Sequence, residues 1–286
     1  MMNEKKEHIK LSGRMSALAA LVTPGHRLAD VGCDHGYIPI YLCQTDIIPS
    51  AIAMDVRPGP LARAGTNIAA YGLQERIRTR LSDGLRELGE DEADTVLIAG
   101  MGGFLMRRIL CEKDAVPGSV SELVLQPQSD IAGVRRCVRE LGFVIADEDM
   151  VEEDGKFYPM MKAFRSREAQ KDGSRDPVSD ARESDGLKSV PDAWGRADRE
   201  QETTDPEKLQ MQIRCEDAFG PVLLRKRHPV LRRWLEKEKR TAERILHRLD
   251  EECEGRMWDD RLLARRDEIS DWLDLLICAE RCYRLS

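Results

Sequence analysis

One passage near the N-terminus constrains the fold of this chain more than any other feature. It reads Leu28-Ala29-Asp30-Val31-Gly32-Cys33-Asp34-His35-Gly36 and goes from an apolar strand, through two glycines, into a helix. A buried strand that turns through a glycine loop directly into a helix is the opening unit of an open α/β sheet, whose ligands sit at the carboxyl ends of the strands.

The next hundred residues repeat that unit. Arg27–Val31, Ala51–Asp55, Ile77–Leu81, Thr95–Ala99 and Glu122–Gln126 are short, mostly apolar runs bounded by turn residues. They read as strands buried on both faces. Helix-length segments separate them: Ile38–Thr45, Gly59–Tyr71, Gly102–Leu110 and Ile131–Leu141. An earlier helix is predicted from the spacing of Leu11, Met15, Leu18 and Leu21, ended by Thr23-Pro24-Gly25. This rhythm implies a Rossmann-like, mostly parallel sheet covered on both faces. Phe143–Asp149 and Lys156–Arg165 flank the turn signal Glu152-Glu153-Asp154-Gly155, so the last pair of strands is expected to be antiparallel.

The texture then changes twice. Residues 166–208 hold 12 acidic and 8 basic side chains, with Trp194 the one aromatic. So little apolar area cannot offset chain entropy, and the segment reads as a disordered linker or insertion. From residue 209 the pattern is helical. Leu231, Leu235, Glu238, Ala242, Ile245 and Leu249 form a heptad seam, and Leu262, Ile269, Leu273, Leu276 and Tyr283 form a shorter stripe. The two stripes are expected to pair as an antiparallel, coiled-coil-like hairpin, within the chain or between chains. Three regions result: a sheet domain over 1–165, a polar linker over 166–208 and a helical hairpin over 209–286. A monomer is the working expectation.

Composition excludes some classes. No apolar run approaches the roughly 18–20 residues of a membrane span, and Met1–Lys10 lacks the apolar core of a secretory signal. Eight cysteines are scattered without a CxxC pair, which suits a reducing cytoplasm and gives no metal site. The net charge of −7 argues against a nucleic-acid partner, but the polar linker carries much of it. Basic clusters remain, notably Arg225-Lys226-Arg227 with Arg232-Arg233.

The glycine loop discriminates between cofactors. A dinucleotide site needs Gly-x-Gly-x-x-Gly to meet a pyrophosphate. Here the spacing is Gly32-x-x-x-Gly36, and Asp30 and Asp34 would repel phosphate. S-adenosyl-L-methionine carries an ammonium and a sulfonium and no phosphate, so an acidic loop of Asp30, Gly32, Asp34, His35 and Gly36 favours it. Asp55, closing the second strand, is placed to accept hydrogen bonds from ribose hydroxyls. Ser82-Asp83-Gly84 can read the adenine edge. Gly100, Met101 and Gly102, at the end of the fourth strand, let backbone approach the point where methyl group and acceptor meet.

The motifs Asp30-Val31-Gly32-Cys33-Asp34-His35-Gly36-Tyr37, Ser82-Asp83-Gly84, Ile98-Ala99-Gly100-Met101-Gly102-Gly103, Leu125-Gln126-Pro127-Gln128 and Val151-Glu152-Glu153-Asp154-Gly155-Lys156-Phe157-Tyr158-Pro159 occur in order. Together they resemble the bacterial tRNA adenine-N1 methyltransferases that act at position 22. The likeness covers about residues 10–165 and resumes at Phe219-Gly220-Pro221. It implies a class I methyltransferase fold, S-adenosyl-L-methionine as cofactor, tRNA as partner and a C-terminal helical domain that helps grip it.

On that resemblance, Asp30, Asp34 and His35 are the candidates for stabilising positive charge on the methylated base or taking its N6 proton. Tyr37, Phe104 and Tyr158 are candidate stacking partners for an unstacked base, with Gln126 and Pro127 beside it. Arg225, Lys226, Arg227, Arg232 and Arg233 would contact phosphates. Alternatives from the residues alone are the same fold acting on another RNA, a protein or a small molecule, a catalytically inert binding module, and a nicotinamide dehydrogenase.

Overall fold

The computed structural model describes residues 8–112, 115–166, 205–252 and 260–284. These residues form two compact units. The first runs to Glu148 and resumes at Tyr158; the second comprises Asp149–Phe157 and the later helices.

In chain order the first unit contains α1 (Gly13–Leu21), β1 (Leu28–Val31), α2 (Tyr37–Gln44), β2 (Ala51–Asp55), α3 (Pro58–Tyr71), β3 (Ile77–Leu81), β4 (Thr95–Met101), α4 (Gly103–Cys111), β5 (Glu122–Pro127) and α5 (Ile131–Glu140). Strands β6 (Phe143–Glu153) and β7 (Lys156–Arg165) come next in the chain. The sheet has seven strands in the order β3-β2-β1-β4-β5-β7-β6. Pairings β3–β2, β2–β1, β1–β4 and β4–β5 are parallel, and β5–β7 is antiparallel. The strand order reverses between β1 and β4, which opens a crevice at the carboxyl edge, the place where such sheets take ligands.

Local chemistry accounts for these elements. Strands β1, β2 and β5 are buried at every residue, because α1, α2 and α3 pack in series while α4 packs on α5. Helix α1 starts at Ser12, whose hydroxyl accepts from the Met15 amide, and buries Leu18, Ala19 and Leu21. Helix α3 has Pro58 in its first turn and ends at Gly72, in the left-handed conformation. The β6–β7 connection places both Asp154 (φ 53°) and Gly155 (φ 73°) in the left-handed region, the backbone of a two-residue primed turn that matches strand twist.

Two findings depart from the sequence reading. Asp149–Phe157, the tip of this hairpin, belongs to the second unit, because Met150 and Phe157 join the apolar cluster of the helices. Cys111 at the end of α4 and Cys137 of α5 are joined as a disulfide, with a Cα separation of 7.1 Å, where unpaired thiols are expected from the spacing. The side-by-side packing of α4 and α5 brings them together, a contact that separation in sequence conceals.

The second unit contains α6 (Pro206–Phe219), α7 (Pro221–Arg225), α8 (Pro229–Glu252) and α9 (Asp260–Arg284). Helix α6 starts inside the stretch read as a linker; residues 167–204 of that stretch lie outside the described residues. Helices α8 and α9 run antiparallel, with ion pairs Lys239–Glu280 (2.7 Å) and Arg266–Asp250 (3.1 Å) along their length. Leu231, Leu235 and Ala242 of the seam are buried, as are Ile269 and Leu276 of the second stripe. Phe219 anchors this core, edge-on to Trp234 at 5.8 Å and against Trp272 at 5.3 Å.

Candidate functional site

A cavity of about 740 Å³ opens at the carboxyl edge of the sheet in the first unit. Its wall is built from the ends of successive strands. Asp30, Gly32, Asp34, His35 and Tyr37 come from β1 and the loop into α2. Asp55 comes from β2, Asp83 and Gly84 from the turn after β3, and Gly100 and Met101 from β4.

Backbone geometry explains why glycine recurs here. Gly32 adopts φ 78°, and its amide donates to the Met54 carbonyl at 2.8 Å, which ties the loop to β2. A Cβ on Gly32 would run into the terminal methyl of Met101, which folds over the loop. Gly100 (φ 75°) sits where the β4–β5 register shifts, a bulge that turns β4 over the cavity. Gly102 caps α4, and the Gly103 amide donates to Ser129 Oγ at 3.1 Å.

The electrostatics are acidic at the β1–β3 end. Asp30 is buried, and its carboxyl is pushed up to about 7, first by burial and then by the neighbouring charge of Asp55. Asp55 accepts the Arg57 amide at 2.9 Å through its own carboxylate. Asp34 is more open and pairs with Arg63 at 2.8 Å. His35 and Tyr37 stack at 5.1 Å with rings 13° apart and form one wall of the cavity. Burial and the acids Asp30 and Asp55 hold the Cys33 thiol protonated, so Cys33 offers no nucleophile.

The other sequence-predicted residues lie elsewhere. Gly36, Gly102 and Phe104 are outside the lining; Phe104 is 73% exposed, next to the lining residue Leu105. Gln126 is fully buried, and Gln126, Pro127 and Tyr158 do not reach the cavity wall. In their place stands Arg14 of α1, which the sequence reading missed. Its Nη1 donates to Gln126 Oε1 at 3.3 Å, and its guanidinium lies over the Tyr158 ring at 4.9 Å. A signal existed: Arg14 shares the helical face of the buried Leu18 and Leu21. Arg225, Lys226, Arg227, Arg232 and Arg233 are exposed in the second unit; Arg232 pairs with Glu236 (3.1 Å) and Arg233 with Glu152 (2.9 Å).

A glycine-walled, acidic crevice between β1 and β4, on a sheet with an antiparallel strand inserted beside β5, defines a Rossmann-like class I methyltransferase. Comparison with known proteins agrees. The methyltransferase domain family matches residues 11–161. The Bacillus subtilis (strain 168) tRNA (adenine(22)-N(1))-methyltransferase is 36% identical over 167 residues, 58% of this chain and 70% of the relative. The crystal structure of the B. subtilis M1A22 tRNA methyltransferase TrmK superposes with a TM-score of 0.70 at 26% identity, covering 94% of this chain and 98% of that one. Streptococcus pneumoniae Sp1610, solved in complex with S-adenosyl-L-methionine, gives a TM-score of 0.67 at 28% identity, covering 94% and 99%. The chain belongs to the tRNA (adenine(22)-N(1))-methyltransferase family.

Proposed function

We propose that this protein transfers a methyl group from S-adenosyl-L-methionine to N1 of adenine 22 in tRNA, in the bacterial cytoplasm. The observation that carries the reading is the desolvated Asp30 carboxyl in a glycine-walled crevice beside Asp55, an environment that gains from a cationic ligand. The residues fit the cofactor. In this reading Asp55 takes the ribose hydroxyls, Asp83 and Gly84 the adenine edge, and Asp30, Gly32 and Asp34 the methionyl end; all of them line the cavity. When bound, the cofactor supplies an electrophilic methyl group on a sulfonium.

Neutral adenine already carries a lone pair on N1, so no residue need create the nucleophile. The chain's task is to align the base, exclude water and accommodate the positive charge that methylation leaves on the ring. Asp30 supplies buried negative charge for that purpose. Asp34 contributes less, because Arg63 neutralises it and solvent screens it. The stacked His35–Tyr37 pair offers a flat wall for an unstacked base, and the exposed ring of Phe104 is a further stacking partner for it in this reading. The exposed cations Arg225, Lys226 and Arg227 of the second unit take phosphates and position the tRNA without reading sequence.

The test is direct. Protein, donor and unmodified tRNA are incubated, and the methylated nucleoside is mapped. N1-methyladenosine at position 22 is expected. Methylation at another nucleoside would reassign the acceptor, and transfer to no RNA would remove the tRNA reading.

A further inference from the structure

Helix α4 is attached to α5 and the loop before it at two places, and the attachments differ in kind. In its first half the Gly103 amide donates to Ser129 Oγ at 3.1 Å, and Arg107 pairs with Asp130 at 2.8 Å. At its last residue the attachment is the Cys111–Cys137 disulfide. The two sulfurs differ in access. Cys111 is the one exposed cysteine among the described residues, whereas Cys137 is 1% exposed. The same part of α4 faces the cavity. Leu105, Arg108 and Ile109 line it, and Ile109 packs so closely on Gly84 that a Cβ there would meet it at 3.0 Å. Just past Cys111, Glu112 pairs with Arg86 at 2.9 Å, and Arg86 with the lining residue Asp83 at 3.2 Å. A sheet domain with this core needs no covalent staple. In the cytoplasm proposed above, small thiols keep cysteines reduced, and the disulfides that occur there are chiefly transient or redox-sensing.

We propose that Cys111 and Cys137 form a reversible thiol–disulfide exchange site that reacts with small thiols and their disulfides, and that the bond sets how firmly α4 holds its side of the cavity. In reduction, the thiolate of a small thiol attacks Cys111 Sγ, the accessible sulfur. The Sγ–Sγ bond breaks, and Cys137 leaves with the bonding pair and takes a proton from water. A second small thiolate attacks the small-molecule sulfur of the mixed disulfide, and Cys111 leaves and is protonated in turn. Two small thiols become one small disulfide, and the protein gains two electrons and two protons. Oxidation runs the other way: the Cys111 thiolate attacks a small disulfide, and Cys137 then displaces the small thiol from Cys111. With the bond made, α4 is fixed in its first half and at its end. With it broken, the end is held by packing and by the Glu112–Arg86 pair, which is exposed and therefore weak. The effect on ligand binding rests on the methyltransferase reading above; the exchange chemistry does not.

The experiment equilibrates the folded, full-length chain in buffers of varied reduced-to-oxidised glutathione ratio, blocks free thiols by alkylation, and reads the Cys111 and Cys137 peptides by mass spectrometry. The two cysteines are expected to convert together between thiols and disulfide, with the protein folded throughout. Cys137→Ala should collect one glutathione on Cys111, and Cys111→Ser should collect none on Cys137. The wild-type titration needs no variant and stands if either replacement lowers the thermal midpoint. S-adenosylhomocysteine affinity, read by calorimetry on each form, is expected to be about fivefold weaker in the reduced protein. Cys111→Ser should show the weaker affinity whatever the buffer. A bond that opens only once the chain unfolds would be a permanent staple, and thiols that stay free at every ratio would show no exchange site. An adduct on Cys137 in preference to Cys111 would reverse the order of attack, and equal affinity in both forms would uncouple the bond from the cavity. Each of these four results overturns the proposal. Protein that binds no S-adenosylhomocysteine in either form sinks the methyltransferase reading instead, while the peptide readout still decides the exchange, so the two failures are distinguishable.

Discussion

Asp30 on β1 and Asp55 at the end of neighbouring β2 are both buried, and burial first, then the charge of Asp55, pushes the Asp30 carboxyl up to about 7. The folded-state value lies above the unfolded one, so the folded chain retains a proton that the unfolded chain releases. Without ligand, this group's contribution to stability falls as pH rises from about 4 to about 7 and is constant above. Binding of a cation reverses the preference and expels the proton. Donor affinity should therefore rise with pH up to about 7 and then level off. Calorimetry at pH 6.5 in two buffers of different ionisation enthalpy should report proton release, absent in Asp30→Asn. Asp30→Asn should also stabilise the ligand-free protein above pH 7.

Arg135 and Glu148 form an ion pair at 2.9 Å with side chains 1% and 0% exposed. Removing one partner leaves the other's buried charge less well compensated. Arg135→Met or Glu148→Gln should each cost about 3–5 kcal/mol in denaturant unfolding. The double replacement Arg135→Met with Glu148→Leu should recover most of the loss, since an apolar pair needs no counter-ion. A double variant as unstable as either single one would contradict this account.

Gly103 begins α4 where a Cβ would strike the Ser129 backbone carbonyl, which has no freedom to move aside. Gly103→Ala should cost about 1–3 kcal/mol and displace the Gly100–Gly103 loop. On the proposed reading, in which this loop meets the acceptor, single-turnover methylation should slow more than S-adenosylhomocysteine affinity falls.

Phe219 is buried between Trp234 and Trp272 in the second unit, whereas the cavity lies wholly in the first. Phe219→Ala should cost about 3–5 kcal/mol of the second unit's stability. Donor binding should persist while tRNA methylation falls steeply. Loss of both together would show that the first unit does not hold its cavity alone.

Arg225→Glu with Lys226→Glu should weaken tRNA binding and flatten its dependence on salt, leaving S-adenosylhomocysteine affinity unchanged. Filter binding of tRNA over a range of salt concentrations measures both. Equal salt slopes before and after would remove the phosphate role of these residues.

The sheet and its loops are readable in the sequence because the relevant forces are local. Apolar runs such as Ala51–Asp55 and glycine signals such as Gly32 declare strand and turn within a few residues, and the spacing of Leu231, Leu235 and Ala242 declares a buried helix face. Arg14 is not readable in the same way. Its partners Gln126 and Tyr158 lie far along the chain, and an arginine in a short helix resembles any solvated one until the fold closes around it. The same distance hides the exclusion of Gln126 from the cavity. Motif order suggests contact with substrate, while burial assigns that glutamine to holding Arg14.

The place of β7 in the sheet bears on how the chain emerges from the ribosome. Strand β5 is completed at Pro127, yet its outer neighbour is β7, not β6, and β7 ends only at Arg165. Until those residues have been synthesised, β5, whose every residue is buried in the finished fold, has one bare edge, a template for pairing with another nascent copy. A chain stopped between residues 127 and 156 would have most of the donor crevice and no cover for that edge. Such fragments should self-associate in proportion to concentration, and extension through Arg165 should abolish it.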